Sequence, residues 1–235
     1  MVKKKQTSHR SGLNPEGRSE AWKRIQLRRA KERRRRAILM GAGAIIFLLL
    51  LLIGIGIFRK KNTPPPVAED IYAYLTRELG YPEAVACGIM ANIEQESFFY
   101  SNNLQGKFEK ILGESDTSYT EKVDSGKISA EDFANDSAGY GLVQWSYNTR
   151  KAKLLEYAKE RKVSISDYRM QLDFMNSEIG KKKREYLMSL PNTRDGAIEA
   201  GRYFCAEYEK PANKNAPKLR SQIAGEYYDK YVKGM

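Results

Sequence analysis

Hydrophobic residues form one continuous run near the N-terminus, and amphipathic segments of helix length follow it. The run from 37 to 58 contains 22 residues without a charge. At about 1.5 Å per residue it would span roughly 33 Å, enough for the hydrocarbon core of a bilayer. A buried core helix would show a polar face, and a signal peptide has a shorter apolar run. The pattern therefore predicts a single transmembrane helix.

From Ala68 onward the apolar positions recur with a helical period. Gly80 and Pro82 separate the first two helices, because glycine ends a helix and proline suits a first turn. The predicted helices span 68–79, 82–97, 148–162, 166–179, 193–209 and 215–232. Residues 101–136 are polar and weakly periodic, which predicts a long loop, with at most a hairpin, acting as an insertion or lid. The fold class expected is mainly α.

The formal net charge of +12 comes from the N-terminus. Residues 1–36 hold 14 basic and three acidic residues, whereas residues 62–235 hold 24 basic and 26 acidic residues. Basic residues mark the cytoplasmic side of a span, so the N-terminus is expected in the cytoplasm and the C-terminal domain outside the cell membrane. Such a tail is typical of a topology signal, and no nucleic acid is expected as a partner. The predicted organisation is a basic cytoplasmic tail at 1–36, a transmembrane helix at 37–58, a proline-containing linker at 59–67, and a domain at 68–232 with an insertion at about 104–135.

Few residues are suited to metal or cofactor chemistry. The only histidine, His9, lies in the tail, and no acidic cluster has ligand spacing, so neither a metal nor a cofactor is expected. No nucleotide-binding loop or Ser-His-Asp set is present. Cys87 and Cys205 both lie in the exported part, where a disulfide is permitted, and two buried free thiols are the alternative.

The helix predicted for 82–97 carries an acid on its apolar face. At about 100° per residue, and with Ile93 at zero, Ile89 lies near −40°, Glu96 near −60° and Glu94 near +100°. A carboxyl group on the apolar side loses hydration, so the pKa of Glu96 is expected to rise towards that of a general acid. The competing interpretation is an ordinary charged residue of the last turn, pointing at solvent.

A glycine-rich segment at 136–145 lies about forty residues downstream. Gly141, with the glycine two residues before it, allows a tight turn with close backbone approach. Tyr140 and Trp145 offer flat apolar faces suited to sugar rings, and Gln144 can both donate and accept hydrogen bonds. The alternative is a core turn that contains an ordinary buried tryptophan.

Three segments in this order resemble the phage tail lysozyme family, part of the lysozyme-like superfamily with lytic transglycosylases and goose-type lysozymes. Residues 88–97, which end in Glu96 and Ser97, resemble the catalytic helix of that family. Residues 140–145 with Arg150 resemble its second motif, and residues 204–211 resemble its late Phe…Tyr-Glu-x-Pro motif. The resemblance covers about residues 68–232.

The resemblance implies a small lysozyme-like helical domain, peptidoglycan as the substrate, and Glu96 as the acid that protonates the glycosidic oxygen. Residues expected at the substrate groove are Tyr140, Gly141, Gln144, Trp145, Tyr208 and Glu209. For Glu209 the first expectation is structural, as a hydrogen-bonding group at a helix end or in the cleft wall. The long insertion departs from the family pattern and leaves the groove shape and the second carboxylate open.

A second carboxylate is less well defined by the sequence. Two-carboxylate hydrolysis requires a separation of about 6.5–9.5 Å for inversion or about 5–5.5 Å for retention. Asp136 is the best-placed candidate, and a turn-capping role is its alternative. Glu109, Glu114 and Asp116 are weaker candidates. If none reaches Glu96, the family resemblance points to the single-acid mechanism of a lytic transglycosylase, which gives a 1,6-anhydro product.

The predicted function is a membrane-anchored peptidoglycan glycosidase that cuts the MurNAc–GlcNAc backbone in the manner of a muramidase. By analogy with other tethered lytic domains, local opening of the wall for a conjugation or type IV secretion machine is expected. The alternatives are a lytic transglycosylase and a non-catalytic wall-binding scaffold. The scaffold is disfavoured because an idle acid on a buried face costs stability.

Overall fold

The computed structural model describes residues 68–234, which fold as helices joined by turns. The helices are α1 (Ala68–Ala73), α2 (Glu83–Ser97), α3 (Gly106–Leu112), α4 (Asp116–Asp124), α5 (Ala130–Asn135), α6 (Asn148–Glu160), α7 (Tyr168–Ile179), α8 (Lys181–Ser189), α9 (Arg194–Phe204) and α10 (Ala216–Tyr228). Three helices continue into π-helical turns, at Tyr74–Glu78 after α1, Cys205–Glu209 after α9 and Asp229–Lys233 after α10. Within the described range, β pairing is limited to isolated bridges. The mainly α prediction is confirmed.

The helix boundaries follow the local signals in the sequence. Gly80 has a left-handed φ of 69° after the first helix, and Pro82 precedes the first residue of α2. The Thr193 side chain caps α9 by accepting a hydrogen bond from the Gly196 N–H. Helix α8 was not predicted, because its first turn is almost entirely charged and shows little apolar periodicity.

Helix α2 runs through the centre of the domain and packs against α9 and α10. Every residue from Ala84 to Ile93 is buried, so the helix buries nearly its whole circumference rather than the single face that the helix angles imply. A Cβ on Gly88 would lie 2.5 Å from the Ala200 Cβ, and one on Gly201 would lie 2.9 Å from the Ala224 Cβ. Glycines therefore permit the close approach of these three helices.

The segment predicted as a loop or lid instead folds into α3, α4 and α5. Tyr119, Val123 and Phe133 from this segment are buried in the common core. The Tyr119 and Phe133 rings lie 5.6 Å and 5.9 Å from the Tyr140 ring. The expectation that this insertion holds at most a hairpin is wrong. Its scattered aromatic residues gain burial against a distant segment, which local periodicity does not register.

Cys87 and Cys205 are both buried and free. Burial raises the pKa of Cys87 to about 12 and that of Cys205 to about 11, so both thiols stay protonated at neutral pH. Of the two alternatives, the structure shows buried thiols.

The N-terminal features predicted from the sequence lie outside the described residues. They are the tail at 1–36, the transmembrane helix at 37–58 and the linker at 59–67. Among residues 68–234, no helix has the length and apolar character to cross a membrane.

Candidate active site

Glu96 lies in the last turn of the central helix α2, at a sharp change of chain direction. Phe98 and Phe99 adopt left-handed φ angles of 51° and 67°, and the Phe98 N–H donates to the Glu94 carbonyl at 2.7 Å. Left-handed geometry costs about 1–2 kcal/mol for a residue with a side chain. Such strain is commonly found at functional sites, where the surrounding structure holds it in place.

A guanidinium group from α10 faces the Glu96 carboxylate. The Arg220 Nη2 lies 2.8 Å from the Glu96 Oε1, and the Arg220 side chain is buried while that of Glu96 remains 22 % exposed. Arg220 Nη1 also donates to the Gln95 Oε1 at 3.3 Å. The helix angles predict an apolar surrounding for Glu96, and the structure corrects this, because α10 brings a positive charge to the same place.

The glycine-rich turn is joined to the end of α2 through Ser97. The Ser97 Oγ lies 2.9 Å from the Leu142 carbonyl oxygen. Gly141 has a φ of 77°, and a Cβ there would lie 2.7 Å from the Gln171 Oε1, which accepts from the Leu142 N–H at 2.9 Å. Only glycine fits this turn, and the structure brings together the two segments that the sequence predicted to face each other.

Tyr140 and Trp145 are fully buried. The Tyr140 hydroxyl lies 2.6 Å from the Thr120 Oγ1, and the Trp145 Nε1 donates to the Glu178 Oε2 at 2.8 Å. Neither ring is open to a sugar, so the prediction that they form stacking platforms is corrected in favour of its alternative, a core turn. The aromatic residues of α4 and α5 cover Tyr140, and those helices were not predicted.

Gln144 is half-buried and has a φ of 50°. Its Nε2 donates towards the Asn103 carbonyl oxygen at 3.1 Å and the Asn103 Oδ1 at 3.0 Å. The side-chain amide is thus held by the chain that leads into the predicted insertion. The structure places Gln144 as a brace of the turn.

Asp136 binds groups of its own domain. Its carboxylate forms an ion pair with the fully buried Lys151 and accepts a hydrogen bond from the Tyr119 hydroxyl. It also accepts from the Ala138 N–H at 2.8 Å, the pattern of a turn-capping aspartate. Because Lys151 would be buried and unpaired without it, Asp136 has a structural task, and its assignment as the second carboxylate receives no support from this geometry.

Two of the weaker acidic candidates also interact with other residues of the predicted insertion. Glu114 pairs with Lys122, and the Asp116 Oδ1 accepts from the Leu104 N–H at 2.7 Å. Glu109 is exposed on α3. None of the contacts that the structure describes for these three residues involves Glu96.

A partly buried network centred on Glu178 of α7 joins the second and third motifs. Arg150 donates to both carboxylate oxygens of Glu178, at 2.9 Å and 2.8 Å. The Tyr208 hydroxyl donates to the Glu178 Oε2 at 2.7 Å, and Trp145 donates to the same oxygen. Burial opposes ionisation of Glu178, but the hydrogen bonds from Arg150, Trp145 and Tyr208 together hold its pKa below the usual value. The network fixes these motifs relative to each other.

Tyr208 and Glu209 lie in the π-helical turn that extends α9. The wider turn shifts the helical register here, a feature common at functional sites. The Glu209 Oε1 is buried and has no hydrogen-bond partner among residues 68–234. Burial first, and the negative charge of Glu96 second, raise the pKa of Glu209 well above its usual value, against the opposing effect of Arg150 and Arg220. Glu209 is therefore a partly buried carboxyl group whose shielded Oε1 favours the neutral form.

Glu178 and Arg220 were missed by the sequence reasoning. Glu178 follows Phe174 by four positions, so it shares the buried face of α7, and the helix-angle argument used for Glu96 could have found it. Arg220 lies four positions from both Ala216 and Ala224, on the small-residue face of α10. A long cationic side chain on a helix face of small buried residues could have identified Arg220 in a comparable way.

The site thus combines a partly exposed carboxyl group at a helix end with a second carboxyl group, partly buried, that favours its neutral form. Carboxyl groups with such contrasting environments are typical of glycoside-cleaving enzymes. Residues 66–231 match the family model described as phage tail lysozyme. The chain belongs to the phage tail lysozyme family. Membership indicates a lysozyme-like, peptidoglycan-cleaving function with peptidoglycan as the substrate.

Proposed function

We propose that this protein is a membrane-anchored peptidoglycan glycosidase in which Glu96 acts as the acid on the MurNAc–GlcNAc bond. One observation carries the proposal: Glu96 is a partly exposed carboxyl group at the end of α2, beside the glycine turn that Ser97 ties to that helix. The resemblance of residues 88–97 to the catalytic helix of the phage tail lysozyme family supports proton transfer from Glu96 to a glycosidic oxygen.

Arg220 prepares Glu96 for that role. The guanidinium holds the Glu96 Oε1 at 2.8 Å, so the other carboxylate oxygen is the one that would meet the substrate. Because the carboxyl group is already held in one orientation, less of the substrate's binding energy is needed to align it with the glycosidic oxygen. Arg220 is itself buried, which keeps the pair in place.

Exposed aromatic residues close to Glu96 replace the buried Tyr140 and Trp145 as proposed sugar platforms. Phe98 is 69 % exposed and Tyr100 is 48 % exposed, and both follow Glu96 within four positions. Phe98→Gly would relieve its left-handed strain, so we expect unchanged or higher thermal stability together with weaker binding to purified sacculi. Weaker binding accompanied by lower stability would instead indicate a packing role for Phe98.

The activity is tested with the full chain, purified in detergent, on peptidoglycan by zymography and mass spectrometry of the products. We expect Glu96→Gln to reduce turnover by at least about 100-fold, the scale of a lost general acid. Glu94→Gln is the matched control, because Glu94 lies in the same turn and interacts with Tyr227 instead. Full activity in Glu96→Gln would refute the assignment.

A lytic transglycosylase is the second candidate, and the engagement of Asp136 with Lys151 favours it, since that carboxylate is not available to activate water. Its 1,6-anhydro products are lighter by one water than those of hydrolysis, so the same mass spectra separate the two reactions. Binding of the wild-type chain to sacculi without glycan release would support a wall-binding scaffold instead.

We propose the membrane anchor from the uncharged run at 37–58, and its orientation from the basic residues before that run. We expect the chain in the membrane fraction, with the domain accessible to protease only from the outer side. By analogy, components of a conjugation or type IV secretion machine are the proposed partners, and crosslinking in whole cells tests this.

A further inference from the structure

An open cavity of about 390 Å³ lies where the two arms of the glycine-rich turn separate. The arms are paired at Tyr140 and Trp145, whose backbone N–H groups each donate to the carbonyl oxygen of the other, at 3.1 Å and 3.0 Å. Residues that flank this pair line the cavity together with the end of α5, namely Ala134, Asn135, Ser137, Ser146, Tyr147 and Asn148. The volume falls in the usual range for ligand sites, about 300–1,000 Å³.

The cavity is built on the same turn that contacts the end of α2. The tip of the turn accepts a hydrogen bond from the Ser97 Oγ at the Leu142 carbonyl oxygen, at 2.9 Å. The cavity lies on the other side of the Tyr140–Trp145 pair, and Glu96 is not among its lining residues. A ligand in the cavity therefore leaves the candidate acid free, and only a substrate of several units can occupy both places.

Three hydroxyl groups in the cavity wall have no hydrogen-bond partner among residues 68–234. They belong to Ser137, Ser146 and Tyr147. Tyr147 is 73 % exposed, so its ring also presents a flat apolar face to solvent. Ser137 has a left-handed φ of 62°, a strained conformation of the kind that is commonly found at ligand sites. The wall thus combines an aromatic face with unused hydroxyl groups.

The two amide side chains of the wall each have one group engaged and one group available. The Asn148 Oδ1 accepts from the Thr149 N–H at 2.7 Å, which leaves the Asn148 Nδ2 as a donor. The Asn135 Nδ2 donates to the Glu131 carbonyl oxygen at 3.0 Å, which leaves the Asn135 Oδ1 as an acceptor. One donor and one acceptor match the carbonyl oxygen and the N–H of an acetamido group.

No acidic or basic side chain lines the cavity. Asp136 lies between two of the lining residues, but its carboxylate pairs with the buried Lys151 and accepts from the Ala138 N–H. Anionic ligands are usually held by arginine, lysine or several backbone donors, so this wall suits a neutral polar ligand. Stem peptides carry carboxylates and amines and fit it less well than an N-acetylated sugar.

We propose that this cavity is an accessory site for an N-acetylated sugar of the glycan strand. The Tyr147 ring stacks on the sugar, and the amides of Asn135 and Asn148 bind its acetamido group. The inference rests on the proposed function, because it takes the glycan as the substrate. Since the cavity does not include Glu96, the site contributes to the affinity for long strands and leaves the chemical step unchanged.

Binding is tested by calorimetric titration of chitotetraose, a tetramer of N-acetylglucosamine, into the full chain carrying Glu96→Gln in detergent. Adding Tyr147→Ser should weaken binding about threefold to tenfold, the scale of one lost stacking contact, whereas Tyr147→Phe should bind nearly as well as the parent. Tyr147→Ser should fold normally, because Tyr147 is the N-cap of α6 without a side-chain cap bond and serine favours that position. Tyr186→Ser, at another exposed tyrosine, is the control and should leave the affinity unchanged. Equal affinity in Tyr147→Ser and the parent overturns the proposal.

Recognition of the acetamido group is tested with cellotetraose, which lacks it. Asn148→Asp replaces the Nδ2 donor with an oxygen, and a carboxylate suits the first turn of α6. We expect the preference for chitotetraose over cellotetraose to fall at least about threefold in this variant. An unchanged preference overturns the assignment of Asn148. If Tyr147→Ser instead abolishes binding of a synthetic stem pentapeptide and spares chitotetraose, the cavity is a peptide site and the proposal is wrong.

Kinetics on soluble, uncrosslinked glycan strands separate this inference from the proposed function. With Glu96 intact, Tyr147→Ser should raise KM about threefold to tenfold with little change in kcat, since it removes binding that is equal in the ground state and the transition state. A fall in kcat at constant KM contradicts an accessory site. A wild-type KM in Tyr147→Ser, with Glu96→Gln inactive, overturns this inference alone. Activity in Glu96→Gln overturns the proposed role of the acid, while the titrations still decide whether the cavity binds the sugar.

Discussion

Replacing Glu178 with alanine should destabilise the domain strongly, because three groups depend on its carboxylate. Arg150 would be left as a partly buried unpaired charge, and the Trp145 Nε1 and Tyr208 hydroxyl would lose their acceptor. Breaking a buried ion pair on one side costs about 3–5 kcal/mol. The Arg150 side chain is still 26 % exposed, so water can partly solvate it. We therefore expect a cost at the lower end of that range, about 3 kcal/mol.

The assay is thermal unfolding followed by circular dichroism. For a domain of this size, about 3 kcal/mol corresponds to a fall in Tm of roughly 6–12 °C. Glu185→Ala is the control, because Glu185 is exposed and pairs with the exposed Lys181 at 3.8 Å, so its loss should cost less than about 0.5 kcal/mol. Adding Arg150→Met to Glu178→Ala should recover part of the loss, since the unpaired charge is then gone.

The pH dependence gives a second check on Glu178. Its pKa is lowered in the folded protein, so its stabilising contribution is complete above the unfolded value and is lost as the pH falls through the folded value. The difference between wild type and Glu178→Ala should therefore shrink in acid. A loss under about 1 kcal/mol at neutral pH, or a double variant that is simply additive, would refute the view that Arg150 depends on this carboxylate.

Two further variants probe the packing and the predicted second acid. Gly88→Ala should cost at least about 2 kcal/mol in urea unfolding, because its Cβ would lie 2.5 Å from the Ala200 Cβ, whereas Gly106→Ala, with open space around it, should be nearly neutral. Lys151→Met should cost about 3–5 kcal/mol by leaving Asp136 unpaired, and adding Asp136→Asn should restore part of the stability. If the double variant folds but releases no glycan, Asp136 would again be a candidate for the second catalytic carboxylate.

Local sequence signals determined the long helices and the position of the candidate acid. Helical periodicity located the helices beginning near 68, 82, 148, 166, 193 and 215, and Gly80 and Pro82 marked the first boundary correctly. These signals depend on residues only a few positions apart, so they can be read directly from the sequence. The helix angle also placed Glu96, rather than Glu94, in the position that Arg220 contacts.

Partners contributed by distant segments could not be read from any local pattern. Arg220 lies 124 positions from Glu96, and Trp145 lies 33 positions from Glu178. Periodicity describes which face a helix buries but not what packs against it. This is why Trp145 and Tyr140 were assigned to the substrate groove, with a buried core turn as the alternative, and are found in the core.

The sequence by itself determined a mainly helical domain, its family resemblance and the acid Glu96. Only the tertiary structure decided which carboxyl groups share that site, because the charge state of an acid depends on the cations, donors and burial that other helices supply. Asp136 forms an ion pair with the buried Lys151 and therefore has a structural role. The Oε1 of Glu209 is buried without a hydrogen-bond donor among residues 68–234, and burial raises the pKa of this carboxyl group.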